Sequence, residues 1–273
     1  MKKTLLIALA AFGLILSIDS CTRAPITGRR QLMLIKNDAL IPLSFAQYKG
    51  LLDSSKVLPQ SNKQAEMVSR VGVRIRQAVE NYLISVGQAQ LIDGFQWEYN
   101  VIDGKQVNAF CMPGGKVIFY NAILPICQNE DGIAVVMGHE VAHAVASHGA
   151  ERVSRAMGAE VLGQVATIGV GVATKSEDAM NVFGTLYGAG AQAGLLLPNS
   201  RKQETEADKL GLIFSQLAGY NIDEAPAFWT RMASVGGKSQ KPPQWMSTHP
   251  SDETRITNMQ KWIPEVKAKW KMR

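Results

Sequence analysis

Two histidines four residues apart enclose a glutamate in the run His139-Glu140-Val141-Ala142-His143. On an α-helix, at about 100° per residue, they would project from one face, one turn apart. Two imidazoles so placed can share one tetrahedral ion. Zinc accepts nitrogen and oxygen donors and, in catalytic sites, keeps one position for water. Glu140 directly follows the first histidine, so its carboxylate could reach water at the ion without ligating it. That is the place of a general base, which would later hand its proton to a leaving amine. The bland alternative is a pair of core histidines beside a solvated glutamate. The flanks Ile133, Val135, Val136, Val141, Ala142 and Val145 are apolar and suit a buried helix. Burying two histidines and a carboxylate is costly unless a metal or hydrogen bonds satisfy them.

A third ligand has to come from elsewhere. His148 lies nine residues after His139, on the opposite side of a continuing helix, and is set aside as a ligand. Glu151 follows a turn expected at Gly149. The stronger candidates lie in Arg201-Lys202-Gln203-Glu204-Thr205-Glu206-Ala207-Asp208-Lys209-Leu210-Gly211. Glu204 and Asp208 again share one helix face. Glu204 could supply a ligand carboxylate, and Asp208 could accept the spare N–H of a ligand histidine. Glu206 and Lys209 are expected on the solvent side. Taken alone, this segment reads better as a charged, exposed helix.

The elements that would position these residues follow from periodicity and punctuation. Helical spacing runs over Leu32–Ser54, interrupted by Pro42, and over Gln64–Val86. Phe95–Val101 alternates with period two and predicts a strand. Val107–Cys111 and Lys116–Tyr120, separated by turn signals, complete a small meander. The motif helix is expected over Gly132–His148, closing near Gly149. Helices follow over Glu151–Thr174, Ala179–Leu197 and, behind a Ser200/Gln203 capping signature, to Ala218. Another is expected from Asp223 to Ser234. The last starts near Ser251 and breaks at Pro264. Val161–Ala173 is apolar but too short for a membrane span, which takes about 20 residues. Gly169-Val170-Gly171 lacks the context of a phosphate loop.

The 273 residues carry 46% hydrophobic and 19% charged side chains, enough for one substantial catalytic domain. A net charge of +6 comes without zinc-finger spacing or a basic stripe interleaved with aromatics, so a nucleic-acid partner is not expected. The basic tail at Lys261, Lys267, Lys269, Lys271 and Arg273 could touch anionic lipid, though a solvated helix face is the better reading. Lys2 and Lys3 precede an apolar run from Leu5 to Ile18, then Asp19-Ser20-Cys21. This reads as a signal peptide over 1–20. Its end is similar to a bacterial lipobox with an atypical Asp19, which implies cleavage before Cys21 and lipidation of its thiol. Residues 21–36 then read as a lipidated tether and 37–273 as the catalytic domain. Cys111 and Cys127 could pair in an oxidising compartment or remain two buried thiols.

The order HEVAH, then ETEAD about sixty residues later, then THPSDETR near the end, resembles the M48 metallopeptidase family of HtpX-like and BepA-like zinc proteases. Pro25–Leu32 and Asn108–Gly115 resemble its lipoprotein members. The resemblance spans nearly the whole mature chain. It implies an α+β, mainly helical, zincin-like (gluzincin) fold and one Zn2+ per chain. His139, His143 and Glu204 match the family's zinc ligands, Glu140 its general base and Asp208 its second-sphere aspartate. The stretch Asn108, Ala109, Phe110 matches an edge strand that would pair with extended substrate. His249 matches a histidine near the site that could polarise the oxyanion or fill the open zinc position at rest. Arg255 would support it. His249-Pro250 could also be a plain turn before a helix. The resemblance further implies peptide hydrolysis of misfolded envelope proteins on the periplasmic side of a bacterial outer membrane. The competing functions are a chaperone or assembly scaffold with structural zinc, which would need no Glu140, and a cell-wall peptide amidase.

Overall fold

The computed structural model describes residues 21–24, 26–157, 200–236, 245–246, 249 and 253–271. The signal peptide over 1–20, the apolar stretch Val161–Ala173, the helix over Ala179–Leu197 and the loop at Lys241-Pro242-Pro243 lie outside these residues. Among the described residues, no helix is long and apolar enough to cross a membrane.

The motif helix, α4 (Glu130–Val145), is the centre of the molecule. Asn129 caps it by accepting from the Gly132 N–H at 2.9 Å. Glu130 and Asp131 in the first turn complement the helix dipole. Every residue from Gly132 to Val145 is buried, as befits a helix with little polar face. On one side lies α2 (Lys63–Ser85), capped by Asn62, whose buried stripe includes Val68, Val71, Ile75, Val79 and Leu83. On the other lies α6 (Arg201–Leu217), opened by the Ser200/Gln203 capping box.

Two glycines set how closely α4 and α6 cross. A Cβ on Gly138 would stand 2.7 Å from the Gly211 carbonyl, and one on Gly211 would stand 2.8 Å from the His139 nitrogen. Side chains larger than hydrogen would separate the backbones. Ser215 Oγ adds a hydrogen bond to the Ala134 carbonyl at 2.9 Å.

Three strands lie beside α4: β3 (Glu98–Ile102), β4 (Ala109–Met112) and β5 (Lys116–Tyr120). Their order is β3-β5-β4, with β3 parallel and β4 antiparallel to β5. The expected meander is corrected here. Period-two alternation reveals which face a residue occupies, not which strand lies next to which. β5 is the middle strand and is buried throughout. The β4–β5 turn needs Gly114 and Gly115 at φ 85° and 81°.

The remaining helices complete the frame: α1 (Asn37–Asp53), the single turn α3 (Leu124–Cys127), α5 over 148–157, α7 (Glu224–Gly236) and α8 (Glu253–Lys269). α8 continues through Pro264, where buried Ile263 and Val266 hold the turn against the core. Cys111 and Cys127 are free and buried, and burial raises both thiols' pKa. Within residues 21–36 two short strands pair. β1 (Cys21–Arg23) pairs antiparallel with β2 (Arg30–Leu32), setting Cys21 opposite Leu32.

Candidate metal centre

α4 and α6 bring His139, His143 and Glu204 together, and residue 249 joins them. His139 Nε2 lies 3.0 Å from His143 Nε2 and 3.5 Å from Glu204 Oε2. His143 Nε2 lies 3.3 Å from Glu204 Oε1. His249 Nδ1 lies 3.1 Å from His139 Nε2 and 3.0 Å from Glu204 Oε1. With zinc about 2.0–2.1 Å from each donor, a coordination tetrahedron has edges of about 3.3–3.4 Å. These five separations come close to the edges of such a tetrahedron, and one ligand atom from each of the four residues lies within 4.8 Å of the others.

The protonation chemistry agrees. Asp208 Oδ1 lies 3.0 Å from His139 Nδ1, which places the ring proton there and leaves Nε2 with its lone pair. Burial opposes charge on His139, but Asp208 and Glu204 outweigh it and raise the pKa to about 9. A cation would replace that extra proton. Burial pushes His143 well below the usual histidine value. Burial also pushes the Glu204 carboxyl up, but His249, Arg255 and the two ligand histidines more than reverse this and hold it well below the usual range. Asp208 is lowered likewise: burial raises it, and Arg255 and His139 prevail. Neutral imidazole beside anionic carboxylate is a donor set for a divalent cation.

Glu140 lies in the same buried space without joining the donor cluster. Its Oε1 accepts from Trp245 Nε1 at 2.7 Å and lies 3.5 Å from His249 Nε2. Trp245 is fully buried and stacks on Trp229 at 4.9 Å. Its backbone N–H donates to the Val107 carbonyl at 3.2 Å, and its carbonyl accepts from His249 N–H at 2.8 Å. That backbone hydrogen bond ties Trp245, which sits on the base, to His249, which sits on the donor cluster.

Arg255, from the first turn of α8, holds the carboxylates. Its Nε and Nη2 donate to Asp208 at 2.7 and 2.5 Å, and Nη1 lies 2.9 Å from Glu204 Oε2. Its guanidinium lies over the Trp229 ring at 3.7 Å. This placement sets its fork on Asp208 and on the Glu204 carboxylate that His249 also meets.

Asn108 and Ala109 are buried and Phe110 is half-buried. The Asn108 carbonyl accepts from the Tyr120 N–H at 3.0 Å. By antiparallel alternation, Phe110 also faces β5, and the backbone of Ala109 and Cys111 turns to the outer edge of β4. The Ala109 N–H is bonded to Asn108 Oδ1 at 3.0 Å.

Three expectations about neighbouring residues change. α4 ends at Val145, not His148, and Ser147 adopts φ 56°. That break turns His148 back, with Nδ1 2.7 Å from His143 Nδ1. Burial, with Arg29 and Arg152, lowers the His148 pKa against the pull of Glu206. Glu206 is buried, because its side of α6 is covered by His148 and the N-terminal hairpin. Lys209 is half-buried, its Nζ 5.7 Å from the Trp262 ring centre. The sequence signals for this second layer were the Pro25–Leu32 motif and the charge density of α6. Trp245 carried no signal beyond being aromatic.

Residues 72–263 match the model of peptidase family M48. The chain belongs to peptidase family M48. It is 34% identical to the mitochondrial metalloendopeptidase OMA1 of Schizosaccharomyces pombe, over 96% of this chain and 72% of that protein. The Saccharomyces cerevisiae protein of the same name is 32% identical, over 89% of this chain and 69% of its own. The beta-barrel assembly-enhancing protease of Escherichia coli is 28% identical, over 59% of this chain and 33% of its own. With this M48 membership and this donor cluster, the protein is a zinc-dependent metalloendopeptidase. Placement at a bacterial outer membrane is corrected by the same findings, since the relatives at 34% and 32% identity are named as mitochondrial enzymes.

Proposed function

We propose that this M48 enzyme cleaves extended segments of misfolded proteins in protein quality control, and that the arrangement described is its resting state. The convergence of His139, His143, Glu204 and His249 beside Glu140 carries the reading. His139, His143 and Glu204 are the ligands that stay, and Asp208 and Arg255 hold them. Zinc bound there supplies Lewis acidity to the scissile carbonyl and to water. Glu140 takes the proton from water and returns it to the leaving amine. His249 fills the fourth donor position at rest, while Trp245 holds the carboxylate of Glu140. Displacement of His249 and Trp245 would open the donor cluster, free Glu140 and expose the edge of β4. Substrate backbone would then pair along Asn108, Ala109 and Phe110, chiefly through Ala109. One relative's name, a beta-barrel assembly-enhancing protease, supports a link to protein assembly, and the others' names support endopeptidase action.

The test is cleavage of unfolded casein by zinc-loaded protein, with and without chelator. Cleavage should require zinc, and Glu140→Gln should abolish it while zinc stays bound. A fully active, zinc-loaded Glu140→Gln protein would remove Glu140 from its role. A zinc-loaded chain inactive on casein but active on peptidoglycan peptides would favour the amidase reading.

A further inference from the structure

The two histidine ligands are steadied by different means. His139 presents Nδ1 to Asp208. His143 instead presents Nδ1 to His148 Nδ1 at 2.7 Å, and His148 Nε2 lies 2.9 Å from Glu206 Oε2. The protons can be placed in order. His143 offers its Nε2 lone pair to the ion, so its proton sits on Nδ1. His148 Nδ1 then accepts, its own proton sits on Nε2, and Glu206 accepts that proton's hydrogen bond.

Glu206 is held in turn by the N-terminal hairpin. Arg29 Nε donates to its Oε2 at 2.5 Å, and the Thr27 hydroxyl donates to Oε1. The two terminal nitrogens of Arg29 donate to Glu151 at 3.0 and 2.7 Å. Gln203, beside Glu204 on α6, donates to Glu151 at 2.8 Å. His148 and Glu151 are fully buried and Glu206 nearly so, which makes an incomplete network costly.

We propose that Arg29 is a positioning residue of the zinc centre, acting through Glu206 and His148 on the orientation and tautomer of His143. Arg29 lies well ahead of residues 72–263, so the hairpin adds a support from outside the matched family region. Its guanidinium spans two carboxylates on different helices, a geometry the fork of arginine permits and the single ammonium of lysine does not. Without it, Glu206 loses a charge-assisted donor, and the ring of His148 loses the fixed partner that sets its tautomer.

The inference rests on His143 being a zinc ligand. If the wild-type chain binds no zinc, that assignment fails; if zinc binds equally well in the variants below, only the inference fails. The measurement is zinc affinity by competition with a chromophoric chelator, together with the visible spectrum of the cobalt-substituted protein. His148→Phe is expected to weaken zinc binding by about ten- to hundredfold, and Arg29→Met by about tenfold. The double variant should bind no worse than His148→Phe alone, because Arg29 acts through that ring. His148→Gln, whose amide can accept from His143 and donate to Glu206, should recover most of the affinity. The cobalt spectrum should shift in Arg29→Met, since the ligand field follows the His143 ring. Unchanged affinity in the variants, or additive losses in the double variant, overturns the proposal. If Arg29→Met does not fold, Arg29→Lys is read by the same criteria, because it keeps the cation but not the fork.

Discussion

Replacing Gly211 by alanine tests whether the α4–α6 crossing sets the metal geometry. The new Cβ would stand 2.8 Å from the His139 nitrogen, 3.0 Å from the Gly138 carbonyl carbon and 3.0 Å from the His139 Cα. Comfortable contact begins at about 3.5 Å, so roughly 0.5–0.7 Å must be found. Every one of those atoms is backbone, and no rotamer change can supply it. The helices must therefore separate by about that amount where the ligands meet. The Glu204 oxygens stand 3.5 and 3.3 Å from the ligand nitrogens of His139 and His143. Metal–ligand distances tolerate only about 0.2 Å. Overpacking of this kind costs about 1–3 kcal/mol, which a domain of this size can absorb. Gly211→Ala should therefore stay folded, melt a few degrees lower and bind zinc at least about tenfold more weakly. Chelator competition and thermal melting, with and without zinc, measure both effects. Unchanged zinc affinity in a folded Gly211→Ala protein would refute the claim that this crossing sets the site.

Arg255→Lys keeps the charge but not the fork over Asp208 and Glu204, so zinc affinity should fall by about tenfold or more, read by the same competition. Trp245→Phe keeps the stack on Trp229 and removes the N–H on Glu140; basal casein cleavage should rise with zinc content unchanged, and a fall would place Trp245 in the working machinery. Burial raises the Glu151 carboxyl, but Arg29, Gln203 and Arg155 outweigh it and lower its pKa. A carboxyl lowered on folding stabilises the fold above its unfolded pKa, about 4.3, and loses that contribution as pH falls through the folded value. Glu151→Gln should therefore cost on the order of 3–5 kcal/mol at pH 7 and flatten the decline of melting temperature below about pH 5. A parallel acid profile for both proteins would show that the Arg29–Glu151 pair contributes nothing to it.

The parts of the site legible in the sequence are those governed by a local period. His139, Glu140 and His143 are related by one helical turn, and Glu204 and Asp208 by another, so their shared faces follow from spacing alone. The caps at Asn129 and Ser200 are local for the same reason. What the sequence left open depends on contacts between distant segments. Only the crossing at Gly138 and Gly211 brings the two ligand faces to one point. Only the break at Ser147 turns His148 toward His143. Glu206 looked solvated because its covering partner, Arg29, lies 177 residues away. Strand order and the seating of Trp245 on Glu140 are likewise long-range choices, settled by packing. Spacing along the chain determined which chemistry the residues could perform; tertiary packing decided which groups hold them in place and which close the site.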